Sequence, residues 1–198
     1  MRRLLALLSL LAAVAATATC APATAATSHV TKPQLHDAAG DWKVASQDVL
    51  DATVTATAKQ IRGDLHLSAP PAQGVPGKYD IGMYVGCTPY SLHYTWNGGL
   101  PGSSATLDGY ACLKGDTVSD ELAGMRPLSS TPATVTLTAT GLRIVASPTA
   151  ELHRGVKVSL FVETWLTPVI VGTPGSLDWN DPTYGGDIAA GSTFRLGS

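Results

Sequence analysis

The chain is poor in charge. Asp, Glu, Lys and Arg make up only 14% of its 198 residues, against roughly a quarter in an average soluble domain. Thr, Ser, Ala and Gly fill the deficit. Basic residues are few and form no cluster, which argues against nucleic acid or an anionic membrane surface as partner. Catalytic signatures are missing as well: there is no GxSxG elbow, no HExxH, no P-loop and no Rossmann glycine pattern. Histidines occur singly, at His29, His36, His66, His93 and His153, and the glutamates are Glu121, Glu151 and Glu163. No internal repeat is present, which excludes a propeller or solenoid. No apolar run reaches the roughly 20 residues that a membrane-spanning helix needs, so no transmembrane segment is expected.

What is present begins with an export signal. Met1-Arg2-Arg3 is a basic start, Leu4 to Ala16 is apolar apart from Ser9, and small residues follow through Ala25 and Ala26. These are the three regions of a cleaved secretory signal. We expect residues 1–26 to be removed near Ala25 or Ala26, leaving residues 27–198 as one secreted, extracellular domain with 27–40 as a loose leader. Arg2-Arg3 lacks the rest of a twin-arginine motif, and Cys20 lacks the upstream Leu of a lipoprotein acceptor. Loss of Arg2 and Arg3 takes the formal net charge from −2 to about −4. If Cys20 leaves with the signal, Cys87 and Cys112 remain, and an even pair in an exported chain reads as a disulfide. In the chain-entropy model such a bond contributes roughly 3 kcal/mol.

From Val49 onward the pattern is short alternating runs broken by Gly and Pro, the signature of strands. Tyr79, Ile81, Met83, Val85 and Cys87 fall on one face, with Asp80, Gly82 and Tyr84 on the other. Tyr90, Leu92, Tyr94 and Trp96 alternate with Ser91, His93 and Thr95, and Asn97-Gly98 follows as a hairpin signal. Thr106 to Leu113, Thr134 to Thr138, a hairpin partner containing Leu142 and Ile144, Val156 to Thr167, Val169 to Val171 and Thr193 to Leu196 complete the pattern. Val156 to Thr167 is apolar enough to be buried partly on both faces. Ser119 to Gly124 reads as a single helical turn. Cys87 is expected to face the core and Cys112 is not, so the disulfide needs either a bulge at Gly109 or a position at an edge. The expected fold is all-β: a two-sheet antiparallel β-sandwich of about eight to ten strands with one disulfide.

Two constellations could carry function. Asp37, Asp41, Asp48 and Asp51 open the domain, and Asp178-Trp179-Asn180-Asp181 lies near its end. Asp and Asn in Gly-rich loops supply the oxygen ligands that Ca²⁺ takes, so Asp37, Asp41, Asp48, Asp178 and Asp181 are the candidate ligands and Ca²⁺ the candidate cofactor. The helix-loop-helix calcium pattern is not met, and Asp and Asn are also ordinary turn formers. Gly40-Asp41, Asp48 to Val54 and then Tyr79-Asp80-Ile81 resemble the opening of secreted β-sandwich domains in the broad DOMON and family-9 carbohydrate-binding-module group. The resemblance covers about the first 60 residues after the signal. It implies a β-sandwich, structural calcium, and sugar or haem binding in some members. No His/Met pair for haem ligation can be assigned.

The second constellation is aromatic. Flat rings stack on the apolar face of a sugar while polar neighbours fix its hydroxyls. Trp96 beside the Asn97 turn and Trp179 are the candidate exposed rings, with Tyr94 and Asn97 beside them, although alternating strand aromatics usually face the core. His93 and Ser91 share a strand face and are expected at the surface. A folded carboxylate pair of the glycosidase type stays open. Arg62-Gly63-Asp64 falls in a strand and reads as chance. The expected function is a non-catalytic binding module for a carbohydrate or cell-wall component. The alternatives are a structural or protein-interaction module of the cell envelope and a small secreted hydrolase.

Overall fold

The computed structural model describes residues 34–112, 126–166 and 188–197. The expected signal segment, the expected helical turn at Ser119–Gly124 and the run Val169–Val171 lie outside them.

Ten strands follow in order: β1 (Leu35–His36), β2 (Val49–Ala56), β3 (Ile61–Leu67), β4 (Gly77–Val85), β5 (Thr88–Trp96), β6 (Ser104–Gly109), β7 (Ser129–Thr138), β8 (Gly141–Ala146), β9 (Lys157–Leu166) and β10 (Ile188–Arg195). All pairings are antiparallel, and the described residues contain no helix. None is therefore available to cross a membrane, which says nothing of strands. The all-β expectation is met. The two-sheet layout is not what the pairing displays. The strands join in one order, β1-β2-β3-β8-β7-β6-β5-β4-β9-β10, and the sheet curls until its ends meet. The Ser192 N–H donates to the Gln34 carbonyl at 3.3 Å, so the sheet is nearly closed into a barrel.

β7 makes this possible. Ser129–Pro132 pairs with β6, while Ala133–Thr138 pairs with β8. Pro132, which has no N–H to give a ladder, sits at the hand-over. At the seam β1 is only two residues long, and the Gln34 side chain extends it. Its amide donates to the Val54 carbonyl at 3.1 Å and accepts from the Val54 N–H at 2.6 Å, imitating a strand residue. Residues 35–36 thus belong to the sheet, with Leu35 in the core. The leader expected to be loose through residue 40 is anchored there, because an apolar Leu beside β2 gains more from burial than from solvent.

The interior is filled by the alternate residues of each strand: Val49, Ala52, Val54, Ile61, Leu65, Tyr79, Ile81, Met83, Leu92, Leu107, Leu142, Ile144, Leu160 and Val162. Gly63 leaves room on β3 for the side chains of Ile81 and Leu92 coming from the opposite wall. Cys87 and Cys112 are bonded, 25 residues apart. Both are exposed. β4 ends at Val85 and turns at Gly86 (φ 62°) before Cys87, so Cys87 does not face the core as expected. β6 stops at Gly109, which pairs in register with Tyr90 and Ser129 without a bulge. The disulfide ties strand ends together.

Candidate functional site

Cross-strand register decides which side chains share the outer wall, since directly paired residues face the same side. On β9, β4, β5 and β6 one row reads Glu163, Asp80, His93, Thr106; the next reads Phe161, Gly82, Ser91, Asp108. Tyr84 lies beyond Gly82 on β4. Tyr110 lies beyond Asp108, its N–H bonded to the Pro89 carbonyl. These residues point away from the barrel interior, yet several are as little exposed as core. Phe161 retains 3% of its surface, Glu163 1%, Ser91 1% and Asp108 7%. Tyr110 and Phe161 form a small apolar cluster of their own, with Tyr84 packed against it. The Tyr84 and Phe161 rings stand 5.2 Å apart at a 38° tilt. Gly82 is required here: the Phe161 ring lies across it, and a Cβ at that position would collide with the ring.

Polar chemistry runs through the same patch. His93 Nδ1 donates to Asp80 Oδ1 at 2.9 Å, and Nε2 meets the Thr95 hydroxyl at 2.9 Å. The Ser91 hydroxyl donates to the same Asp80 oxygen at 2.5 Å. Thr106 donates to Asp108 Oδ2 at 3.0 Å. Asp108 Oδ1 is buried and has no hydrogen-bond partner among the described residues. Burial pushes the His93 pKa down, but the hydrogen bond and charge of Asp80 and the charge of Asp108 overcome this and leave it raised, against opposition from Lys78. Tyr110 is pushed up by burial and then by the charges of Asp80, Asp108 and Glu163. One phenol thus feels all three carboxylates.

The residues expected from sequence to bind ligand lie elsewhere. Trp96 is buried (8% exposed), and its indole N–H donates to the Ala72 carbonyl at 3.0 Å. Tyr94 packs between Tyr79 and Trp96 with centroids 6.1 and 6.3 Å away. This corrects the expectation of an exposed Trp96: it keeps the inward phase of Leu92 and Tyr94, and that phase outweighs its nearness to a turn. Asn97 organises its loop: its amide donates to the Pro101 carbonyl at 2.7 Å, its N–H donates to Ser103 Oγ at 3.1 Å, and its carbonyl accepts from the Leu100 N–H at 3.0 Å. The loop spans residues 97–103 rather than forming a two-residue turn. Trp179 lies outside the described residues.

Of the acidic candidates, Asp37, Asp41 and Asp48 do come together. Asp48 is buried and accepts from the N–H groups of Gly40 (2.9 Å) and Trp42 (3.3 Å) and from the Ser68 hydroxyl. Burial raises its pKa, but these donors outweigh burial and hold the carboxyl below its ordinary value. Asp41 is raised by desolvation, then by its hydrogen bond to Asp48 and the charges of Asp37 and Asp48. Among the described residues, no group of three His, Cys, Asp or Glu side chains is arranged to hold a metal ion. Asp178 and Asp181 lie outside them. Arg62-Gly63-Asp64 is locked in β3: Asp64 accepts from Arg62 and from Arg143, each at 2.6 Å.

The outer-wall cluster was only glimpsed in the sequence. The Ser91/His93 pair was visible and expected at the surface, and Val156 to Thr167 announced burial on both faces. The partnership of Asp80, Asp108 and Glu163 depends on register between distant strands. No protein-family model matches this chain, and no curated protein or solved structure matches it.

Proposed function

We propose that this is an exported, non-catalytic module that binds a carbohydrate or cell-wall ligand on the outer wall of β9, β4, β5 and β6. One observation carries the reading: Asp108 Oδ1 is buried without a donor beside a wall of carboxylates and rings. A buried acceptor left unmade costs about 1–3 kcal/mol, and a ligand hydroxyl or other donor would recover it. The partly exposed Tyr84, backed by the buried rings of Phe161 and Tyr110, supplies ring surface next to those acceptors, a composition that sugar recognition uses. The test is a pull-down of the mature protein on cellulose, chitin, xylan and peptidoglycan, with calcium and with chelator. Retention on one polymer, lost in a folded Asp108→Asn variant, is the expected result. Unchanged retention in that variant would move the site off this wall. No retention on any polymer would refute the reading in favour of a protein partner.

The line Thr95–His93–Asp80 favours hydrolysis as a second reading, since a hydroxyl, an imidazole and a carboxylate stand in the order of a nucleophile relay. The raised pKa of His93 favours its protonated form relative to a free imidazole, which weakens it as an acceptor of a nucleophile's proton. Labelling of Thr95 by a fluorophosphonate would revive it. An interaction surface has less support, because the exposed large apolar residues Leu100, Leu128 and Leu137 stand on a turn, before β7 and near the end of β7.

A further inference from the structure

We infer that the ligand of the outer wall carries a protonated amine, and that the unit recognised is an amino sugar with a free amino group. The inference rests on the carbohydrate reading and narrows it. Neutral hydroxyls could fill the vacant position on Asp108 Oδ1, but they would leave its charge facing only His93, which is bonded to Asp80, in a dry site. Buried charges are tolerated when they are paired. Asp80 has His93 as its partner at 2.9 Å. Among the described residues Asp108 has only the Thr106 hydroxyl, on its other oxygen. The opposing positive groups on this wall are His93 and Lys78, and Lys78 sits two residues from Asp80 on β4, paired across to Trp165 and Thr95, away from the Asp108 row. An ammonium group would neutralise Asp108 and donate to Oδ1 in one contact. Rings also suit it, since cations are attracted to aromatic faces, and Tyr110, Phe161 and Tyr84 border the row.

A metal ion is the smaller alternative cation. The carboxylates stand on β9, β4 and β6, and no three of the described candidate side chains converge closely enough to hold one. A ligand with its own carbon frame, offering an ammonium and hydroxyls several bonds apart, fits acceptors spread over neighbouring strands.

The experiment compares three soluble oligosaccharides of equal length by calorimetry: β-1,4-linked glucosamine, its N-acetylated counterpart and the glucose counterpart. The protein is tested as wild type, Asp108→Asn and Glu151→Gln. The last removes an exposed acidic group on a loop outside the wall and controls for non-specific attraction between an acidic protein and a polycation. The expected result is wild-type affinity for the glucosamine oligomer stronger by about tenfold or more than for the other two, the scale of one charge-assisted hydrogen bond. That preference should vanish in Asp108→Asn and persist in Glu151→Gln. Equal affinity for all three sugars would overturn the amine inference and leave the carbohydrate reading standing. A preference lost equally in both variants would reduce it to bulk charge and overturn it. Binding of none of them would refute both. If Asp108→Asn fails to fold, the wild-type comparison of amino with N-acetyl oligomer still decides.

Discussion

Asp80→Asn offers a direct probe of the outer wall. The substitution removes one negative charge and keeps an amide oxygen where Ser91 and His93 now find Oδ1. Neutral His93 can still donate from Nδ1. Protonated His93 loses a charge-assisted bond at 2.9 Å. Hydrogen bonds to charged groups contribute about 1.5–3 kcal/mol, neutral ones about 0.5–1.5 kcal/mol. The two side chains keep 21% and 16% of their surface, so water screens the pair only in part, and the charge itself is worth about 1–2 kcal/mol. The sign follows from the direction of the shift. His93 has a folded pKa above its ordinary 6.5, so its protonation stabilises the fold. That contribution is complete below the unfolded value and fades as pH rises through the folded one. Asp80→Asn should therefore cost about 1–2 kcal/mol more at a pH about one unit below the ordinary imidazole value than at a pH about two units above it. For a chain of this size that is a Tm difference of about 2–8 °C. Thermal unfolding of both proteins across that range measures it, and the NMR titration of the His93 ring reads the pKa directly. An equal cost at both pH values, or a wild-type His93 titrating at or below the ordinary value, would refute the reasoning.

Two further perturbations test the frame that holds the wall. Reducing the pair with Cys87→Ser and Cys112→Ser should cost about 2–4 kcal/mol, since the bond closes a loop of 25 residues at exposed strand ends; urea unfolding measures this, and peptide mapping without reductant should recover Cys87 joined to Cys112. Gly82→Ala should cost about 1–3 kcal/mol by driving a methyl group into the Phe161 ring, and the near-ultraviolet dichroism of Phe161 and Tyr84 should change with it; an unchanged Tm would mean that the ring does not lie where the structure puts it.

Much of the fold could be read from alternation. The inward phase of Tyr79, Ile81 and Met83 and of Leu92 and Tyr94 follows from period two alone, and the pairing of Cys87 with Cys112 was expected on the reading that Cys20 leaves with an export signal. The closing of the sheet could not be read, because it depends on β7 changing partners at Pro132 and on a Gln34 side chain standing in for backbone. The site was hidden for a related reason. Asp80, Asp108 and Glu163 each sit at positions that alternation marks as outward, and outward normally means wet. Only register, a non-local property, brings them to one patch. The one local sign was Phe161 and Glu163 on the outward phase of a strand apolar on both faces.

A comparison within the same sheet argues that this patch is not an ordinary solvated face. On the outer surface of β2, β3 and β8, acidic groups are met by basic ones: Asp64 lies 2.6 Å from both Arg62 and Arg143, and Asp51 lies 3.0 Å from His66. Those residues remain partly exposed, so water could have served them, and the pairs are worth little. On β9, β4, β5 and β6 Asp80 is paired with His93, but the drier Asp108 is not. Asp108 is drier than any of those carboxylates and, among the described residues, forms no ion pair, its nearest positive influence being His93, which is bonded to Asp80, although pairing would be worth most there. A chain selected for stability alone would place its arginines on the dry wing or an apolar residue at position 108. Carrying the unpaired acid where it costs most is consistent with a partner that arrives from outside, and Asp108→Leu separates the two accounts: it should raise stability by relieving a buried charge while abolishing retention on the ligand, whereas a purely structural Asp108 predicts a loss of stability.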